Sequence, residues 1–108
     1  MAYNLYLLPE AKQDILELAQ WQTENLDSSG QLASAFLDAI DQTLDLLKDT
    51  PELHSFRYDD VRGIRVRRDA PKGKPQKFPH IVFYRFDDPD IIVHQVFAIR
   101  DNPEKIRH

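Results

Sequence analysis

Two neighbouring stretches decide the fold: His80-Ile81-Val82-Phe83-Tyr84-Arg85-Phe86 and Ile91-Ile92-Val93-His94-Gln95-Val96-Phe97-Ala98-Ile99. Both are dense in β-branched and aromatic residues, so they read as strands. Asp87-Asp88-Pro89-Asp90 between them has the composition of a tight turn, which makes the pair antiparallel. Upstream, Ile64-Arg65-Val66-Arg67 alternates strictly, with two apolar side chains on one face and two arginines on the other. Residues 69–77, carrying Pro71, Gly73, Pro75 and three lysines, read as a long mobile loop between that strand and the next.

Working outward, Tyr3-Asn4-Leu5-Tyr6-Leu7-Leu8 reads as a first strand closed by Pro9. Pro9 suits the first position of a helix, where its missing N–H costs nothing, and Glu10 complements the helix N-terminus. From Pro9 to Asn25 the stripe Ala11, Ile15, Leu18, Ala19 and Leu26 follows the helical period, interrupted by the polar Gln22, with Trp21 beside it as a packing residue. Ser28 and Gln31 have capping-box spacing, which starts a second helix there. Its stripe is Ala33, Phe36, Leu37, Ile40, Leu44 and Leu47, its solvated face Asp38, Asp41, Asp45 and Asp49, and Thr50-Pro51 ends it. The expected fold is α+β, in the order β-α-α-β-β-β: a helical hairpin packed on one face of a mostly antiparallel sheet.

The chain of 108 residues has the length of one domain, 1–108, and with 42% hydrophobic residues it can bury a core. It has no cysteine, which excludes disulfides, thiolate metal sites and cysteine nucleophiles. His54, His80, His94 and His108 are scattered without ligand spacing, so neither a metal nor a cofactor is expected. No long apolar run and no basic leader is present, which points to a cytoplasmic protein without membrane attachment.

The net charge of −4 conceals a division. Residues 1–56 hold ten acidic and two basic side chains, whereas 57–108 hold twelve basic and eight acidic ones. The basic excess concentrates in 57–77, where a local patch can steer an anionic partner whatever the total charge.

The last two strands are apolar on both parities. Ile91, Val93, Phe97 and Ile99 fall on one side, and Ile92, Val96 and Ala98 on the other. A helical hairpin covers one face only. The second is closed either by a partner or by other parts of the chain, and the sequence leaves both open.

These elements, with Leu46-Leu47-Lys48-Asp49-Thr50-Pro51 ending the second helix, Arg62-Gly63-Ile64-Arg65, Phe78-Pro79-His80-Ile81-Val82-Phe83-Tyr84-Arg85 and Val96-Phe97-Ala98-Ile99-Arg100-Asp101-Asn102-Pro103-Glu104, resemble the RelE/ParE toxin superfamily over essentially the whole chain. The resemblance implies the toxin of a bacterial type II toxin–antitoxin system, neutralised by a small cognate antitoxin. It allows two targets. RelE-like members cut mRNA on the ribosome, for which the candidates would be Arg65, Arg67, Tyr84, Arg85, His94 and Arg100. ParE-like members poison DNA gyrase. Ile81, Ala98 and Ile106 stand where the nuclease branch carries an arginine, a histidine and an aromatic residue, which favours the ParE-like branch with no catalytic residues. Arg62, Arg65, Arg67, Arg85 and Arg100 are then candidates for binding the target or the antitoxin. Each also has an ordinary reading as a solvated or ion-paired strand residue, and a module that only binds a partner is a third possibility.

Overall fold

The computed structural model describes residues 3–69 and 75–99. In chain order the elements are β1 (Asn4–Leu7), α1 (Pro9–Asn25), α2 (Gln31–Asp49), β2 (Phe56–Tyr58), β3 (Val61–Asp69), β4 (Pro75–Asp87) and β5 (Asp90–Ala98). The strands form one five-stranded sheet in the order β1-β5-β4-β3-β2. Strand β1 runs parallel to β5, and the other neighbours are antiparallel. The hairpin covers one face, with α1 over β5 and α2 over β3. The core between the layers holds Ala11, Ile15, Phe36, Ile40, Leu47, Val66, Val82, Tyr84, Ile91 and Val93. The fold is the expected α+β arrangement, with one strand more than the sequence suggested.

Helix α1 begins at Pro9 as expected. Gln22 does not break its stripe: the residue is buried, and its amide donates to the Leu18 carbonyl one turn back, at 3.2 Å. Burial of an amide is tolerated because its donor is satisfied. Leu26 lies beyond the helix and is exposed.

Helix α2 starts at Gln31, not at Ser28, and Ser28 is not its cap. The cap position is Gly30 at φ 82°, a left-handed conformation that glycine adopts without a Cβ clash. Asp27 supplies the side-chain bonds instead. Its carboxylate accepts from the Ser29 N–H at 3.0 Å, the Ser29 hydroxyl at 2.6 Å and the Leu32 N–H at 3.1 Å. The Ser29 hydroxyl and these backbone donors hold the Asp27 carboxyl below its ordinary range. The buried stripe of α2 also differs: Leu37 is exposed, while Ala39 and Thr43 are buried.

Strand β2 is too short to show periodicity. It turns into β3 through Asp59, at φ 42°, and Asp60. The third strand is longer at both ends than the alternating Ile64–Arg67 core. Its Asp69 pairs with Pro75, so Asp69 and residues 75–77 of the expected loop over 69–77 are strand, and the rest of that loop, 70–74, lies outside the described residues. Ile64 and Val66 are buried, and Arg65 and Arg67 exposed, as the alternation requires. In the β4–β5 hairpin, Tyr84 pairs with Val93 while Phe83 pairs with Gln95, leaving His94 as an extra residue. This bulge switches the parity. Val96 therefore joins Ile91 and Val93 in the core, and Phe97 falls on the opposite face, a correction to the uniform alternation expected for 91–99.

That opposite face is partly closed by the chain itself. Phe83 is buried there, with the Tyr58 ring 5.9 Å and the Phe97 ring 6.4 Å away. Tyr6 and Ile99 stay exposed.

The sheet has two long outer stretches of strand without a neighbouring strand among the described residues. On β3, beyond β2, helix α2 supplies the partners. The Thr43 hydroxyl donates to the Arg67 carbonyl and accepts from the Arg67 N–H, both at 3.1 Å, and the Gln42 amide oxygen accepts from the Asp69 N–H at 2.9 Å. On β5, strand pairing with β1 stops at Val93, whose carbonyl takes a last bond from the Leu8 N–H. Beyond it, the Val96 N–H donates to the Asp14 carboxylate at 3.1 Å. No helix of the described chain is long and apolar enough to cross a membrane.

Candidate functional site

The alternation in β3 puts Arg65 and Arg67 on the side of the sheet away from the core. There they line a groove of about 400 Å³ together with Arg57 of β2, Lys77 of β4 and His54, Leu46 and Leu53 at its margin. Its lining has four cations and no carboxylate. Like charges gathered with little compensation attract an anion more strongly than the chain's net charge of −4 would suggest.

The side chains are held to different degrees. Arg65 Nε donates to the Phe78 carbonyl at 2.6 Å, which fixes the guanidinium across the irregular β3–β4 pairing. Arg67 is anchored through its backbone by Thr43, leaving its side chain exposed. Arg57 lies over Gly63: a Cβ at that position would come within 2.8 Å of Arg57 Cγ and 3.0 Å of Ile81 Cγ2. Gly63 thus leaves the space that Arg57 occupies. Arg62, outside the groove's lining and paired across the strands with Tyr84, donates to the carbonyls of Glu52 at 3.0 Å and His54 at 2.8 Å, with its guanidinium 4.0 Å from the Phe56 ring centre.

His54 is bonded to the Thr50 hydroxyl at 3.1 Å. Burial, followed by the nearby Arg62 and Arg67 charges, lowers its pKa, so the ring is neutral near pH 7.

The other sequence candidates lie elsewhere. Tyr84 is on the core side of the sheet, fully buried, and its hydroxyl donates to the Pro51 carbonyl at 2.7 Å. Burial pushes its pKa up to about 12. Arg85 is paired with Asp60 at 3.0 Å. His94, the bulge residue, has a buried Nε2 without a hydrogen-bond partner among the described residues, and burial lowers its pKa. Arg100 lies outside the described residues, as do Lys72 and Lys74. The structure therefore gathers Arg65 and Arg67 and separates them from Tyr84 by the sheet, whereas Arg62 pairs across the strands with Tyr84 and shares its face.

Arg57 and Lys77 are the members that sequence reasoning missed as site residues. Arg57 sits in a strand too short to recognise, and Lys77 in a segment read as loop. The basic excess over 57–77 was the signal that contained both. Among the described residues no group of three or more His, Asp or Glu side chains could hold a metal ion.

A family model described as the ParE toxin of type II toxin–antitoxin systems, parDE, matches residues 5–104. A solved structure described as the chromosomal ParDE TA system from P. aeruginosa superposes with a TM-score of 0.71 at 12% identity, covering 92% of this chain and 98% of that one. At that identity the superposition speaks to the fold alone. No curated protein sequence matches the chain.

Proposed function

The chain belongs to the ParE toxin family of type II toxin–antitoxin systems, and we propose that it acts by inhibiting DNA gyrase and is neutralised by a cognate antitoxin. The observation that carries this reading against mRNA cleavage is the separation of Tyr84 from Arg65 and Arg67 of the basic groove. Cutting a phosphodiester requires cations and a proton-transferring group converging on one phosphate. Here the cations of the basic groove face one side of the sheet, while the Tyr84 hydroxyl is committed to Pro51 on the other. A gyrase poison needs a binding surface and no such convergence.

The nuclease alternative draws support from the groove itself, since four cations around one concavity suit a phosphate, with His54 in the same lining. The two readings part in paired assays on the purified protein. A gyrase inhibitor stops supercoiling of relaxed plasmid and leaves ribosome-bound mRNA intact. Ribosome-dependent mRNA cuts with normal supercoiling would transfer the assignment to the nuclease branch. A protein that arrests neither activity nor growth on expression would be a binding module that keeps only the fold.

A further inference from the structure

We propose that the basic groove docks the phosphate backbone of double-stranded DNA, so that the chain grips DNA directly while it acts on gyrase. The choice of DNA rests on the gyrase reading above. What is added is a second macromolecular contact and the residues that make it.

The charges of the groove are left uncompensated. Elsewhere the chain pairs its cations: Arg68 with Asp38 at 3.2 Å, Arg85 with Asp60 at 3.0 Å and Lys48 with Asp45 at 3.8 Å. Among the described residues, none of Arg57, Arg65, Arg67 and Lys77 is in an ion pair, and the concavity of about 400 Å³ that they line has no carboxylate. Four like charges gathered in this way repel one another, and an anion bound among them offsets that cost.

Their layout has the reach of a polymer. The four side chains come from three adjacent strands, and Arg65 and Arg67 lie two residues apart along β3. Strand spacing makes this a field about 10 Å across and about 7 Å along, too wide for one phosphate to meet every cation and suited to consecutive phosphates of a strand. Three of the four cations are arginines, whose planar forks hold phosphate oxygens in pairs. The main chain adds a neutral donor. Gly63 donates its N–H to the Ser55 carbonyl, and Arg67 donates its N–H to the Thr43 hydroxyl, both away from β4. By alternation the Arg65 N–H between them turns the same way, toward the groove.

The lining also distinguishes between nucleic acids. Single strands are held largely by stacking their bases on aromatic rings, and the groove has no Phe, Tyr or Trp. It offers charge for a backbone and no platform for a base, which suits a duplex whose bases stay stacked.

The test is fluorescence anisotropy of a labelled DNA duplex titrated with the purified chain between about 50 and 200 mM salt. Four phosphate contacts predict a slope of log K against log salt of about −3 to −4. Arg57→Ala and Arg67→Ala should each make that slope shallower by about 1 and weaken binding equally on unrelated sequences. Lys12→Ala, the same charge change on α1 outside the groove, should leave the slope unchanged. The exposed Lys77→Ala takes the place of Arg57→Ala if emptying the space over Gly63 unfolds that variant. A slope that the groove variants share with wild type would overturn the proposal. Displacement of the duplex by single-stranded RNA or polyglutamate at equal charge would overturn it too, since the site would then be for RNA or for any polyanion. The same wild-type sample is run in the supercoiling assay. Inhibition without duplex binding overturns the DNA site and leaves the gyrase reading standing, whereas groove-dependent duplex binding without inhibition sinks the gyrase reading and supports the site.

Discussion

The two outer stretches of this sheet solve the same problem in different ways. On β3, the side chains of Thr43 and Gln42 meet the Arg67 and Asp69 backbone, so the edge is sealed from within the chain. On β5, among the described residues, the Asp14 carboxylate meets one N–H. A buried hydroxyl that donates and accepts is a permanent substitute for a strand. A half-buried carboxylate that accepts from one N–H is a lesser one. The difference teaches that the second helix seals its edge with neutral side chains, whereas among the described residues the first meets its edge with one carboxylate; the basic groove lies beside the β3 edge, and a concavity lined by Asp14 and Glu17 lies beside the β5 edge.

The largest test of this contrast removes the seal. Thr43→Val keeps the shape but leaves the Arg67 N–H and carbonyl without their partner; urea unfolding should show a loss of about 2–4 kcal/mol. Tyr84→Phe probes the strand between the two edges. Losing the bond to Pro51 should cost about 1–2 kcal/mol in the same measurement. Growth arrest on expression should persist in this variant, whereas loss of toxicity in a folded protein would favour a catalytic tyrosine. Gln42→Ala, which removes one exposed bond to Asp69, should cost about 0.5 kcal/mol.

The smallest effects are in the pH dependence, where the two edges should have opposite signs. Burial raises the Asp14 pKa in the folded state above its ordinary 3.8. The folded protein therefore takes up that proton before the unfolded one does, and as pH falls from neutral toward 4 Asp14 favours folding. Asp14→Asn should flatten that gain. His54, beside the sealed edge, has a folded pKa below its ordinary 6.5, so the unfolded chain protonates first and the histidine disfavours folding as pH falls through that value. His54→Gln should remove that loss. Denaturation midpoints of the two variants between pH 7 and 4 check both signs.

Much of the layout was legible from local pattern. Pro9 starts α1, the strict alternation at 64–67 sets the arginines outward, and two apolar runs around an aspartate-rich turn give the central hairpin. What escaped the sequence was contributed by single residues acting through tertiary structure. The His94 bulge reverses which residues of β5 face the core, and no periodicity announces an inserted residue. Asp27 replaces Ser28 as the residue bonding the start of α2 because its carboxylate reaches three donors at once. Thr43 falls outside the apolar stripe read for α2, yet it is buried because a strand edge needs its hydroxyl. Of the candidate site, the basic segment was visible as charge density. The convergence of Arg57 and Lys77 with Arg65 and Arg67 was not, since it depends on the pairing of β2, β3 and β4.

The most direct measurement of the contrast is native-state amide exchange in the free protein, read residue by residue at both edges. The account predicts that the Arg67 and Asp69 N–H groups, held by α2, exchange at least about tenfold more slowly than that of Ala98, with Val96 in between. Ala98 exchanging as slowly as Arg67 would show that the β5 edge is already occupied within the chain, and would contradict the distinction between a sealed edge and an open one.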